Sequence, residues 1–174
     1  MMNPVVESAV SDFSDNVLHA KRSTCHTHLS TLTIFYQSKL GPAIMGDKHL
    51  PFVTKNCESD LQKLGSFFSV AIGQGSYYNT GCFGPLPALG SDYNCLIYSI
   101  IVKDDASFDS RMQGWNYILA CFFYHKSLDQ IINEKKISIE AFFCNYFQKN
   151  DNIGCFTPEK IKDLKSELMS LLTA

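Results

Sequence analysis

The chain has no Cys-x-x-Cys pair and no excess of either charge, its formal net charge being −2. It also has no apolar run approaching the ~18 residues that a membrane-spanning helix needs. Each absence removes a class of function. Near-neutral charge leaves no electrostatic footprint for nucleic acid or an anionic membrane surface. Without a long apolar run no membrane span is expected. No basic region followed by an apolar stretch opens the sequence, so no signal peptide is expected either. The seven cysteines are odd in number and scattered. Cys95, Cys121 and Cys144 stand inside apolar runs, where a free thiol behaves as a small hydrophobe. That usage points to a reducing, cytoplasmic compartment.

What the chain does have is apolar material. Over its 174 residues 45% are hydrophobic and 13% aromatic, with Phe the largest share of the aromatics. This is enough for one domain with a real core. Residues 1–28 are polar and weakly patterned, and read as a loosely ordered extension with at most a short helix over Val5–Val17. Residues 29–174 read as a single domain.

Periodicity divides that domain into elements. Leu32–Gln37 reads as a strand, Lys39–Pro42 as a turn and Ala43–Met45 as a second strand. Ser59-Asp60-Leu61-Gln62 has the form of a capping box, with Ser59 at the N-cap. The helix it opens carries Leu61, Leu64, Phe67, Phe68, Ala71 and Ile72 along one stripe and stops at Gly73. Tyr77–Phe83 reads as a strand, and Gly84–Gly90 as a rigid connector or edge segment because of its prolines. In Asn94–Lys103, Leu96, Tyr98, Ile100 and Val102 alternate with Cys95, Ile97 and Ile101. Both faces are apolar, the mark of a central strand covered on both sides. Trp115–His125 has the same two-faced character. Ser127-Leu128-Asp129-Gln130 is a second capping-box pattern, opening a helix that runs to about Lys149 with a break near Lys136. Thr157-Pro158 starts a last helix, with Ile161, Leu164, Leu168, Leu171 and Leu172 as its apolar stripe.

Two-faced strands require helices on both sides of the sheet. One helix is available for one face and two for the other, which gives an α/β (α+β) fold built as a three-layer α/β/α sandwich on a five-stranded, mainly antiparallel sheet. The order β-β-α-β-β-β-α-α, with the hairpin Ile34-Phe35-Tyr36-Gln37-Ser38-Lys39-Leu40-Gly41-Pro42-Ala43-Ile44 and its Gly-Pro at the turn, resembles the longin-like (roadblock and profilin-like) domain family. The resemblance covers about Thr31–Leu172. It implies a non-enzymatic interaction module: an adaptor or regulator in trafficking, secretion or small-GTPase complexes, partnered by another protein or by a second copy of itself. It carries over no catalytic residue.

No set of residues makes a convincing catalytic or cofactor site, and neither is expected. His26 and His28 alternate on a segment that enters the first strand, so they share a side. A closed zinc site needs four ligands. The others would have to come from as far as His19 or Cys57, and a solvated polar stretch is the expectation. Gly73-Gln74-Gly75 follows a helix rather than preceding one and lacks the lysine of a Walker motif, so it reads as a helix stop. Asp104, Asp105 and Asp109 with Arg111 lack the register of a calcium loop and read as a solvated hairpin loop with an internal Asp–Arg pair. Cys121 and His125 share a strand face but stand apart along it.

The segment around Ile139, Phe142, Phe143, Tyr146 and Phe147 carries more apolar surface than one stripe needs. It, or an uncovered edge strand, is the expected partner surface. The runner-up function is a small-molecule sensor holding its ligand between sheet and helix, and an enzyme is third.

Overall fold

The computed structural model describes residues 30–39, 41–47, 50, 58–73, 79–88, 91–107 and 112–174. The expected extension over 1–28 lies outside the described residues. Among those described, the elements run β1 (Ser30–Ser38), β2 (Gly41–Gly46), α1 (Glu58–Gly73), β3 (Gly81–Pro87), β4 (Tyr93–Lys103), β5 (Trp115–His125), α2 (Asp129–Glu134), α3 (Lys136–Lys149) and α4 (Pro158–Thr173). Short 3-10 turns at Lys126–Leu128 and Ile153–Cys155 precede α2 and α4. The strands form one antiparallel sheet in the order β2-β1-β5-β4-β3.

The two most apolar strands are neighbours, in register from Tyr93 opposite His125 to Lys103 opposite Trp115. The side-chain period of two then fixes the layers, because a slip of one residue would swap every side chain between them. Leu96, Tyr98 and Val102 of β4 join Ile118, Ala120, Phe122 and Tyr124 of β5 on one face. Ile132 of α2, Ile139, Phe143 and Phe147 of α3, and Ile161, Leu164, Leu168 and Leu172 of α4 cover that face. Cys95, Ile97, Tyr117, Leu119, Cys121 and Phe123 point the other way, against Leu64, Phe68 and Ile72 of α1. The three-layer α/β/α arrangement and the division of helices, one against the rest, are those the alternation predicts.

Local departures have identifiable causes. The strand expected over Tyr77–Phe83 begins at Gly81 and continues through Pro87. Tyr77 itself lies outside the described residues. β3 is an edge strand, so prolines at 85 and 87 cost it no ladder bond on the open side. A register shift between Phe83 and Leu86 accommodates them. Gly84, inside that irregularity, has φ +112, and a Cβ there would lie 2.7 Å from the Cys95 carbonyl oxygen. Ser59 lies within α1 rather than at its N-cap, since the helix begins at Glu58.

Ser127 is not an N-cap either. The His125 imidazole takes that role, its Nδ1 accepting from the Ser127 N–H at 3.2 Å, and Ser127 falls inside the 3-10 turn. The break in the following helix falls at Lys135, and α3 starts at Lys136. At α4 the Thr157 hydroxyl accepts from the Lys160 N–H at 3.3 Å with Pro158 behind it, as its sequence requires.

The orientation of α1 is set by a glycine. A Cβ on Gly65 would lie 2.5 Å from Cδ1 of the buried Phe35 ring, so the helix backbone lies directly against that side chain of β1. At 100° per residue, Leu64, Gly65, Phe68 and Ile72 share an inward face, and Phe67 lies roughly 115° from its centre. Phe67 and Ala71, expected in the buried stripe, are therefore exposed. The side chain of Leu61 lies outside the described residues. Asn79 anchors the other end: its Nδ2 donates to the Ile72 carbonyl at 2.8 Å, and its own carbonyl accepts from the Ser99 and Tyr117 hydroxyls.

Candidate functional site

The aromatic segment of α3 serves the core. Ile139, Phe143 and Phe147 are fully buried. Tyr98 of β4 stacks on both rings, 5.4 Å from Phe143 and 5.6 Å from Phe147. Phe142 and Tyr146 are half-buried at the rim, packed edge-on against Phe143 and Phe147. The Tyr146 hydroxyl reaches the Lys160 carbonyl of α4 at 3.5 Å. The wide apolar arc of α3 thus meets two neighbours, the sheet and α4, and three of the five residues expected at a partner surface are enclosed. Only Phe142 and Tyr146 of that set retain accessible surface.

The other sequence candidates are dispersed. His26 and His28, with Cys25, His19 and Cys57, lie outside the described residues. Among the described residues no three His, Cys, Asp or Glu side chains are placed to hold a metal ion. Gly73 is the last residue of α1, and Gln74 and Gly75 lie outside the described residues. Asp109 and Arg111 lie outside them too.

Asp104 is not part of a solvated loop. It is buried, its carboxylate accepting from Asn116 Nδ2 at 2.8 Å and from the Ala106 N–H at 3.0 Å. Asn116 also clamps the backbone of Gln37, accepting from its N–H at 3.1 Å and donating to its carbonyl at 2.8 Å. This network joins β1, β5 and the start of the β4–β5 loop. Cys121 is buried in the sheet, whereas His125 is engaged in capping. Four residues of extended strand separate them by about 13 Å.

The perturbed acids reflect packing. Cys82 is pushed up to about 11, first by burial and then by the Glu140 carboxylate, against the opposing effect of Lys136. Tyr98 is pushed up to about 12 by burial and by its contact with Cys144. Cys95 is raised by burial and by Cys121 beside it, and Tyr124 by burial and the Asp129 carboxylate. These groups stay protonated at neutral pH. An activated thiol requires the opposite shift.

Both edges of the sheet carry prolines. Because the backbone of Gln37 faces Asn116 on β5, its pairing with Pro42 is of the non-hydrogen-bonded kind, and alternation turns the backbone groups of Pro42, Ile44 and Gly46 outward. Pro42 has no N–H to give. On the opposite edge Pro85 and Pro87 have none, and the Gly84 carbonyl is taken by Lys136 Nζ at 3.1 Å. The prolines on each edge oppose strand addition, while the outward backbone groups of Ile44 leave β2 partly open to it.

The helix surfaces differ. Glu159, Lys160, Lys162, Asp163 and Glu167 line the outside of α4. On the outside of α1, Phe67 is 48% exposed and Val70, one turn on, 73% exposed, with Ala71 accessible beside them. Trp115 at the start of β5 and Ile137 at the start of α3 are exposed singly. Isolated apolar residues are ordinary on a protein surface, whereas neighbouring ones on a rigid element form a patch. Comparison with protein-family models, with curated proteins and with solved structures finds no match to this chain.

Proposed function

We propose that this domain is a non-enzymatic protein–protein interaction module, of the longin-like adaptor kind, and that it meets its partner through the outer face of α1. The observation that carries the reading is the exposed pair Phe67 and Val70 on a helix held tightly to the sheet at Gly65 and Asn79. A rigid helix presenting an aromatic and an aliphatic side chain loses little conformational entropy on docking. Covering what is exposed of both side chains is worth together about 2–4 kcal/mol. The resemblance of element order and first hairpin suggests a partner among small GTPases or the subunits of trafficking and secretion complexes, or a second copy of this chain. A reducing, cytoplasmic compartment accords with this reading, since Cys82, Cys95, Cys121, Cys144 and Cys155 are free thiols.

The test pairs a photo-crosslinking phenylalanine analogue at position 67 with the same probe at position 162 on α4, alongside Phe67→Asp/Val70→Asp. A discrete crosslinked product from position 67 alone, lost in the double variant while its thermal midpoint stays within about 2 °C of the parent, is the expected result. Identical products from both positions, or a double variant that keeps every partner and the parental mass in solution, would overturn the reading.

A further inference from the structure

We draw no further inference here: the strongest candidate, the exposed apolar face of α1 around Phe67 and Val70, already carries the proposed function, and nothing in the structure shows which partner covers it.

Discussion

Gly65→Ala sets two effects of opposite sign against each other. Alanine in a helix interior is favoured over glycine by about 0.8–1.0 kcal/mol, so on propensity alone the substitution should stabilise. At Gly65, however, the new methyl group would lie 2.5 Å from Cδ1 and 3.0 Å from Cε1 of Phe35. Phe35 is 1% exposed and belongs to the same core cluster as Leu64, Phe68 and Leu119, so its ring can yield only within the core. Overpacking of this kind costs about 1–3 kcal/mol. The clash should offset the propensity gain and win by up to about 2 kcal/mol, which for a chain of this size lowers the thermal midpoint by up to about 4–8 °C. Phe35→Leu, which replaces the ring by a smaller branched side chain, loses stability alone but should recover part of it in combination with Gly65→Ala. The double-mutant cycle should return a favourable coupling of about 1 kcal/mol or more. Calorimetry or urea titration of the four proteins reads this directly. A Gly65→Ala variant more stable than the parent, or additive effects in the cycle, would refute the close approach of α1 to β1 and with it the outward orientation of Phe67.

Phe143→Ala should cost about 3–5 kcal/mol in urea unfolding, because the ring is fully buried beneath Tyr98. Phe142→Ala, at the half-buried rim, should cost well under half as much, and equal losses would contradict the division of α3 into core and rim. Asn116→Ala should cost about 2–3 kcal/mol by removing a donor to the buried Asp104 carboxylate and both bonds to the Gln37 backbone. A loss under about 0.5 kcal/mol would show that water replaces them. Cys82 and Tyr98 have folded pKa values raised above their ordinary ones, to about 11 and about 12. The folded chain therefore keeps protons that the unfolded chain releases, and stability should be constant through neutral pH and fall as pH climbs from 9 towards 12. Thermal midpoints across that window should fall less steeply in Cys82→Ala/Tyr98→Phe, and an unchanged slope would count against the burial of these groups.

The layers of the fold were legible because β4 and β5 are buried on both faces. Each of their positions is then under the same apolar demand, and the alternation of Leu96, Tyr98 and Val102 with Cys95 and Ile97 records which layer each side chain enters. The course of β3 was less legible. Gly84-Pro85-Leu86-Pro87 has the local chemistry of a breaker, and only its position at a sheet edge lets the chain remain paired there. The capping pattern at Ser127 misled for a similar reason. His125 stands two residues upstream, and its Nδ1 takes the Ser127 N–H.

How the apolar residues of α3 and α1 divide between core and solvent depends on two non-local contacts. Counting apolar residues on α3 gives a surplus over what a sheet can cover, but the count cannot include α4. It folds back so that Tyr146 meets the Lys160 carbonyl and Phe147 lies 5.4 Å from Phe156. On α1 the division departs from the expected stripe. Phe67 and Phe68 are equally apolar and differ by one residue, so periodicity alone assigns both to the core. Their fates separate because Gly65 leaves room for the Phe35 ring and thereby fixes the rotation of the helix, sending Phe68 inward to 6.1 Å from Phe123 and Phe67 towards solvent. An apolar residue at the margin of a helical stripe is therefore a surface candidate whenever a glycine within the same turn sets the closest approach.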